Sequence, residues 1–252
     1  MNNMSSSLFQ NSCAIILAAG KGKRMNAKKT NKVTFELSGE PIIMRIVKNL
    51  KNAGIDDLVL VVGHAHESVE KLVGDLALYA YQKKRLGTGH ALKVGLKAVP
   101  ERDEDIFVFY GDDTSYSADV LAALLQKHRE MKGDITFLTL KVVDPKGLGR
   151  IARDARGDLV GIVEDKDATE DQRKITEINP GCFVFSKKFL AKYINGIQKS
   201  PATGEYYLTS LIELALQHKL SVHTYTAENV VWRGINTPDE LKEAEFLLQE
   251  SI

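Results

Sequence analysis

Short apolar runs alternate along the chain with longer amphipathic stretches. Runs rich in β-branched and aromatic residues predict strands at 14–17, 58–62, 106–110, 135–142, 159–164, 181–185 and 221–225. Apolar residues at helical spacing predict helices at 41–53, 67–73, 88–99, 117–131 and 205–217. Strands that alternate with helices in this way are typical of βαβ units. The pattern therefore predicts an α/β fold with a mixed, mostly parallel sheet flanked by helices.

A last helix is predicted to begin near position 237. Thr237 can cap it, Pro238 suits the first helical position, and Glu240 completes a capping box. No internal repeat, low-complexity segment or proline-rich linker divides the chain. We therefore predict a single domain over residues 13–252, preceded by a flexible N-terminal tail of residues 1–12.

The composition is that of an ordinary globular chain, with 252 residues, 44% hydrophobic and 27% charged. Lys and Arg total 34 against 33 for Asp and Glu, so no global field attracts nucleic acid or an anionic membrane. No apolar run approaches the roughly 18 residues that span a bilayer. Cys13 and Cys182 lie in apolar runs and are expected to be core residues rather than disulfide partners. We expect a cytoplasmic protein.

The first candidate for chemistry is the turn after the first predicted strand, Leu17-Ala18-Ala19-Gly20-Lys21-Gly22-Lys23-Arg24-Met25. Its glycines allow close approach of the backbone to an anion, and its cationic side chains supply balancing charge. The spacing matches neither the Walker pattern nor the dinucleotide fingerprint. By itself the turn is equally consistent with a phosphate-binding loop and with a solvated surface loop.

The second candidate is Tyr110-Gly111-Asp112-Asp113, which follows another predicted buried strand. In open α/β sheets, ligands lie at the carboxyl ends of the strands, and magnesium prefers hard oxygen ligands. A carboxylate at this position could hold a divalent cation against phosphate oxygens. The structural alternative is an Asp that accepts hydrogen bonds from the backbone of a turn.

The third candidate is the segment 82–91, Gln82-Lys83-Lys84-Arg85-Leu86-Gly87-Thr88-Gly89-His90-Ala91. Its glycines could lay flat backbone against a planar base while Gln82 reads the base edge. Alternatively, it is an ordinary helix capped by Thr88, with His90 in a structural role. His64 and His66 have no obvious third ligand and give only a weak zinc signal, so we interpret them as loop residues.

These three segments occur in the order seen in sugar nucleotidylyltransferases, and the second half of the chain extends the similarity. It contains Gly147-Leu148-Gly149-Arg150-Ile151, Ile162-Val163-Glu164-Asp165-Lys166-Asp167-Ala168-Thr169, Glu177-Ile178-Asn179, Gly204-Glu205-Tyr206-Tyr207-Leu208-Thr209 and Gly234-Ile235-Asn236. From about Cys13 to the C-terminus, the chain resembles the uridylyltransferase domain of the bifunctional N-acetylglucosamine-1-phosphate uridylyltransferase/glucosamine-1-phosphate acetyltransferase.

The resemblance implies a Rossmann-like domain of the nucleotide-diphospho-sugar transferase type. It implies transfer of UMP from UTP to N-acetylglucosamine 1-phosphate with Mg²⁺, giving UDP-N-acetylglucosamine and pyrophosphate. The implied roles fall into four groups. Catalytic phosphate contacts are Arg24 and Lys32; nucleotide contacts are Leu17, Ala18, Gly20, Gln82, Gly87 and Thr88; sugar contacts are Gly149, Glu164 and Asn179; metal ligands are Asp112 and Asn236.

The sequence also departs from the pattern of the family. Asn31 stands where close members usually have a proline before the phosphate-binding lysine, and Asp113-Thr114 replaces the usual Val-Pro. Asp113 could alter the metal geometry or simply hydrogen-bond to the loop. No hexapeptide repeat is present, so acetyltransferase activity is not expected.

Several functional alternatives remain open from the sequence. The substrate could be another sugar 1-phosphate, and the chain could be a stand-alone enzyme or an excised domain. A non-catalytic nucleotide-sugar-binding module would keep the fold without turnover, although the retained cationic turn, Asp112 and Asn236 argue against it. A metal-dependent glycosyltransferase would be expected to carry an Asp-x-Asp motif, and Asp112-Asp113 lacks that spacing.

Overall fold

The computed structural model describes residues 8–25, 30–113, 116–228, 230 and 232–249. The strands are β1 (Ser12–Ala18), β2 (Glu36–Leu37), β3 (Glu40–Pro41), β4 (Asp57–Val62), β5 (Leu78–Tyr81), β6 (Asp105–Tyr110), β7 (Ile135–Lys141), β8 (Gly149–Arg153), β9 (Leu159–Val163), β10 (Glu177–Asn179), β11 (Cys182–Ser186) and β12 (Val222–Thr226). The α-helices are α1 (Ile42–Ala53), α2 (His66–Val73), α3 (Thr88–Gly95), α4 (Ala118–Glu130), α5 (Glu170–Arg173), α6 (Lys187–Tyr193), α7 (Ser210–Gln217) and α8 (Pro238–Gln249).

The central sheet has the strand order β5-β4-β1-β6-β11-β7-β12. Every strand in it runs parallel to the others except β11, which is antiparallel to both of its neighbours. The end of β7 also pairs with β10, which continues into the antiparallel ladder β10-β8-β9. The predicted mixed, mostly parallel sheet with flanking helices is thus confirmed. The carboxyl ends of β5, β4, β1 and β6 meet along one edge.

The core lies on both faces of this sheet, because β1 is buried along its whole length. Ala14 and Ile16 face one apolar cluster, which includes residues of α1, α2 and α4. Cys13 and Ile15 face the other, which includes residues of α3, α6 and α7. A parallel strand covered on both faces reads as a continuous apolar run, which is why this strand was predictable from sequence.

Several elements differ from the sequence predictions. The helix predicted for 205–217 begins only at Ser210, because the preceding backbone pairs with the segment before α3: the Tyr206 N–H donates to the Leu86 carbonyl at 2.8 Å. The helix predicted for 88–99 is α-helical only as far as Gly95. Strands β5, β8 and β10 and helices α5 and α6 were not predicted, and each has seven or fewer residues.

The start of the chain is packed earlier than predicted. Residues 1–7 of the predicted tail lie outside the described residues. Phe9, however, is buried with its ring 6.0 Å from that of Phe107, and Ser12 already belongs to β1. An aromatic side chain that packs against the core holds residues 8–12 on the domain, so a loose tail does not extend to position 12.

The last helix begins where predicted, with a modified cap. The Thr237 hydroxyl accepts a hydrogen bond from the Glu240 N–H at 3.2 Å, as expected of a cap. The Glu240 carboxylate, however, accepts from the N–H of Asn236 at 2.6 Å rather than from that of Thr237. Across the described parts of the chain, no helix combines the length and the apolar character needed to cross a bilayer.

Candidate functional site

The turn after β1 lies against the turn after β6. The Gly111 N–H donates to the Leu17 carbonyl at 3.0 Å, and a Cβ at Gly111 would lie 3.2 Å from the Cβ of Ala18. A side chain at position 111 would therefore crowd the neighbouring strand end. In the same turn, Gly20 is exposed and its α-carbon faces open space, which leaves room for a ligand.

Arg24 lies in a short 3-10 turn, Lys23–Met25, and is exposed. Within the described ranges, Arg24 has no hydrogen-bond or ion-pair partner. Its role in binding phosphate stays a prediction, because no contact connects it with the other candidate residues. An exposed cation without a protein counter-charge is available to an anionic ligand.

Lys32 connects the two predicted metal ligands. Its ammonium forms an ion pair with Asp112 and also donates to the Asn236 amide oxygen at 2.9 Å. The Lys32 and Asp112 side chains are only 16% and 15% exposed. Two oxygen ligands from distant parts of the chain therefore converge on one cationic group. That donor set, a carboxylate and a neutral amide oxygen, fits a magnesium ion that keeps several waters or phosphate oxygens.

A short backbone pairing places Asn236 beside Asp112. Asp113 and Gly234 form an isolated antiparallel bridge, and the Ile235 N–H donates to the Asp112 carbonyl at 2.9 Å. The carboxylate of Glu240 then holds the N–H of Asn236. The segment leading into α8 is thus attached directly to the turn after β6.

Asn31, which replaces the usual proline before Lys32, makes hydrogen bonds that position this segment. Its buried side-chain amide donates to the carbonyls of Ala18 at 2.8 Å and His64 at 2.9 Å. Its own N–H donates to the Ser68 hydroxyl at 3.1 Å. The residue fixes the backbone before Lys32 to the ends of β1 and β4 with hydrogen bonds that a proline could not make.

Asp113, the other departure, points into the protein. Its carboxylate is buried and lies 3.4 Å from the Tyr116 hydroxyl, whose single hydrogen is shared with the Pro180 carbonyl oxygen at 3.1 Å. Burial, followed by the negative charge of Asp112, raises the pKa of Asp113 well above its usual range. Of the two readings in the sequence analysis, hydrogen bonding to the loop is the one these contacts favour.

The segment around Gly87 is built against the Gly204–Thr209 motif. Gly87 has φ +108°, and a Cβ there would lie 2.4 Å from the Tyr206 carbonyl oxygen, so only glycine fits. Thr88 does not cap α3. Its hydroxyl instead accepts from the Leu208 N–H at 2.9 Å. The alternative of an ordinary Thr-capped helix is therefore wrong, because this hydroxyl serves a tertiary contact.

Gln82 follows β5 at the carboxyl edge of the sheet. Its side-chain nitrogen lies 3.1 Å from the Gly87 carbonyl oxygen and 2.9 Å from Nδ1 of His90. Its backbone approaches the turn after β1, because a Cβ on Gly63 would meet both the Ala19 and the Gln82 carbonyl oxygens, at 3.1 and 3.2 Å. The predicted base-reading residue thus lies next to the predicted phosphate turn.

The three predicted sugar contacts also lie together. A Cβ on Gly149 would be 3.8 Å from Oε2 of Glu164 and 3.9 Å from the Cβ of Asn179. The Thr209 hydroxyl donates to Oε1 of Glu164 at 2.7 Å, and Asn179 accepts from the Gly181 N–H at 3.1 Å. Burial raises the pKa of Glu164, and the hydrogen bond from Thr209 opposes that shift.

Tyr110 lies near both the predicted sugar contacts, here called the sugar group, and the predicted metal ligands, here called the metal group. Burial raises the pKa of its phenol well above the usual range, and the negative charges of Glu164, Asp113 and Asp112 raise it further. One buried hydroxyl therefore experiences carboxylates from both groups. The carboxylates of the sugar group and of the metal group therefore both lie near the Tyr110 side chain.

The remaining candidate residues have structural contacts. His66 is the first residue of α2 rather than a loop residue as predicted; it bonds to Glu70 at 3.1 Å and packs edge-on against Tyr81. In the portion of the chain that the structure describes, no three His, Cys, Asp or Glu side chains are grouped to hold a metal. Cys13 and Cys182 are buried free thiols.

Most of these positions could be predicted from the sequence, but the residues that hold the predicted site residues in place could not. Asn31 was treated only as a departure, Thr209 only as part of a motif, and His90 as structural. The available signals were the departure from the family pattern at Asn31 and the place of Thr209 and His90 within motifs. They could not reveal which groups these side chains bond, because each partner lies on a different element.

The fold and this site define a class of protein. The chain belongs to the nucleotidyl transferase family, whose family model matches residues 13–251. The predicted resemblance to this family is thereby confirmed.

Among its relatives is the bifunctional protein GlmU of Acetivibrio thermocellus, 39% identical over 240 residues, with 95% of this chain and 52% of the relative covered. The GlmU of Heliobacterium modesticaldum is also 39% identical, over 241 residues and with the same coverage. That of Staphylococcus epidermidis is 37% identical over 242 residues, covering 95% of this chain and 53% of the relative. The chain thus spans about half the length of these relatives and matches their N-terminal domain.

A solved structure shows the same architecture. It is a Bacillus anthracis protein provisionally assigned as a glucose-1-phosphate thymidylyltransferase, determined in complex with a sucrose. It superposes with a TM-score of 0.80 at 23% identity, covering 95% of this chain and 96% of that one. At this identity the similarity establishes the fold alone, and that fold is the predicted nucleotide-diphospho-sugar transferase type.

Proposed function

We propose that this protein transfers UMP from UTP to N-acetylglucosamine 1-phosphate in a Mg²⁺-dependent reaction, which gives UDP-N-acetylglucosamine and pyrophosphate. The observation that carries the proposal is the convergence of Asp112 and Asn236 on the Lys32 ammonium, beside the glycine-rich turn. The similarity to three GlmU proteins supports the choice of substrates.

The reaction needs no nucleophile from the protein. An oxygen of the sugar phosphate attacks the α-phosphorus of the nucleotide, the new P–O bond forms, and the bond to the pyrophosphate leaving group breaks. Positioning and neutralisation of charge then supply most of the rate enhancement. The cations of this site are suited to that task, because Arg24 belongs to the turn that would hold the triphosphate and Lys32 contacts the two proposed metal ligands.

The Asp112 and Asn236 oxygens would hold the magnesium ion, which supplies charge neutralisation for the phosphates when it is bound. In this structure the same two oxygens bind the Lys32 ammonium. Once they hold a divalent ion, the positive charge of Lys32 becomes available to phosphate oxygens. One residue would thus neutralise the carboxylate before substrate binds and the substrate afterwards.

Recognition of the sugar would fall to Glu164 and Asn179. The Glu164 carboxylate can accept hydrogen bonds from sugar hydroxyls, and Thr209 fixes its orientation. The Asn179 amide can donate to a neutral oxygen while its own oxygen holds the Gly181 N–H. Gly149 lets these residues lie close together, because a Cβ there would be only 3.0 Å from Cγ2 of Ile162.

A matrix of nucleoside triphosphates against sugar 1-phosphates tests this proposal, with release of pyrophosphate measured with and without Mg²⁺. Turnover that is highest for UTP with N-acetylglucosamine 1-phosphate supports it. Preference for another sugar 1-phosphate would retain the reaction class and replace the substrate. Binding of nucleotide without turnover of any pair would favour the non-catalytic module instead.

A further inference from the structure

The orientation of the Gln82 side-chain amide follows from the two groups that lie next to its nitrogen. The Gly87 carbonyl can only accept a hydrogen bond, so the side-chain atom 3.1 Å from it must be the NH₂ group. The same nitrogen lies 2.9 Å from Nδ1 of His90. His90 must therefore accept through Nδ1 and carry its proton on Nε2, as a neutral imidazole.

Both hydrogens of the Gln82 amide are therefore used in hydrogen bonds within the protein. One goes to the Gly87 carbonyl and the other to His90, and no donor in the described ranges bonds to the remaining amide oxygen. Gln82 is left able to offer a ligand only an acceptor. A pyrimidine whose N3 faces that acceptor must carry a hydrogen on N3.

We propose that His90 is a positioning residue that locks Gln82 in its acceptor orientation and so makes the nucleotide site select uracil over cytosine. Uracil carries a hydrogen on N3, which Oε1 of Gln82 can accept. Cytosine carries a lone pair at that position, which would face the oxygen. The inference rests on the proposed function, in which Gln82 contacts the base.

The surroundings of His90 keep its ring neutral. Burial, followed by the positive charges of Lys93 and Lys97, lowers its pKa. Lys199 and Tyr206 line, together with His90, a cavity of about 550 Å³. No acidic side chain lines that cavity, within the described residues, to favour the imidazolium.

Protonation of Nδ1 would reverse the hydrogen bond. The ring would then present a donor to the amide nitrogen of Gln82, and the amide would have to rotate to offer its oxygen. In the rotated orientation the oxygen would also face the Gly87 carbonyl, where two acceptors repel each other. Neither orientation satisfies both neighbours, so acidification should loosen the hold on the base.

The test compares His90→Phe, which keeps a ring but has no acceptor, with His90→Asn, whose Oδ1 can occupy the place of Nδ1. Steady-state turnover with UTP and with CTP is measured from about pH 8 down to about pH 5, so that the range extends below the ordinary pKa of histidine. Lys93→Gln, which changes the same cavity without touching Gln82, serves as the matched control.

We expect His90→Phe to raise KM for UTP about tenfold, with kcat changed less than about twofold, and to lower the UTP-to-CTP ratio of kcat/KM about tenfold. His90→Asn should restore most of both. Lys93→Gln should change neither at the alkaline end of the pH range, where the imidazole is neutral in either protein. In the unsubstituted protein KM for UTP should rise on acidification, whereas in His90→Phe it should stay flat.

An unchanged UTP-to-CTP ratio in His90→Phe would overturn the proposal, as would failure of His90→Asn to recover it. If His90→Phe does not fold, the Asn variant and the pH profile of the unsubstituted protein decide. Calorimetric binding of UTP and CTP separates this inference from the proposed function. If the protein binds UTP selectively through His90 but transfers no UMP, the proposed function is refuted and the role of His90 is not.

Discussion

Replacing Asp112 by asparagine should separate catalysis from stability. Asparagine preserves the shape of the side chain and still offers Lys32 an oxygen acceptor, but it removes the negative charge. The substitution therefore changes the affinity of the site for a divalent cation while leaving the turn after β6 in place. The contacts of Asp112 predict different sizes for its effect on turnover and its effect on the free energy of unfolding.

The cost in stability should be small. The Lys32 and Asp112 side chains are 16% and 15% exposed, so their ion pair is neither fully solvated nor fully buried. Exchanging a charged for a neutral acceptor in such a pair costs about 1–2 kcal/mol. Part of this is offset because the charge of Asp112 opposes ionisation of the buried Asp113. We expect a net loss of no more than about 2 kcal/mol.

The cost in turnover should be much larger. Loss of one group that stabilises charge in the transition state typically lowers kcat by about 10²–10³-fold, which corresponds to about 3–4 kcal/mol. Release of pyrophosphate and chemical denaturation of the same preparation measure the two quantities together. Binding of Mn²⁺ in the presence of nucleotide, followed by paramagnetic relaxation, gives an independent readout.

Asp105→Asn provides a matched control. Asp105 begins the same strand, pairs with Arg129 at 2.8 Å, and its side chain is 14% exposed. It lies at the opposite end of β6, so its replacement should cost similar stability and leave turnover within about twofold of normal. Turnover of Asp112→Asn within tenfold of normal would refute the assignment of Asp112, as would an equal loss of activity in the control.

Three further predictions concern residues around the same site. Arg24→Ala should lower kcat about 10²-fold without a change in melting temperature, because Arg24 is exposed and has no partner among the described residues; a large loss of melting temperature with normal turnover would argue for a structural role. Glu164→Gln should raise KM for the sugar phosphate but not for UTP. In the unsubstituted protein the KM for the sugar phosphate should rise as pH falls through the raised pKa of Glu164. A KM that does not change with pH would contradict the proposed role of Glu164. Asn31→Pro should destabilise the fold by about 2–3 kcal/mol in denaturant unfolding, since it removes the bonds to Ala18, His64 and Ser68; an unchanged unfolding free energy would show that these bonds contribute nothing net.

The central strands could be predicted from sequence because their burial is uniform. In β1 and β6 each apolar residue lies against one of two helical layers, so the run itself carries the signal. Strands β8 and β10 escaped prediction because they have only five and three residues, and β10 also pairs with strands far away along the chain. Helix α7 begins late because the Tyr206 backbone pairs with the segment before α3, which no local pattern encodes.

The site was predictable residue by residue but not as a set of contacts. Resemblance nominated Asp112 and Asn236, whereas the backbone bridge between Asp113 and Gly234 that brings them together has no sequence signature. The contact of Lys32 with both was likewise unforeseen. Nothing local distinguishes a lysine that pairs across the fold from one that faces water, because the difference lies in tertiary packing.

The most direct test of the proposed function is to identify the products. The purified chain is incubated with UTP, N-acetylglucosamine 1-phosphate and Mg²⁺, and nucleotide sugar and pyrophosphate are quantified by mass spectrometry and a coupled assay. The proposal predicts UDP-N-acetylglucosamine and pyrophosphate in equal amounts, with neither formed by Asp112→Asn at a comparable rate. Consumption of UTP without a nucleotide sugar, or undiminished product from the variant, would contradict it.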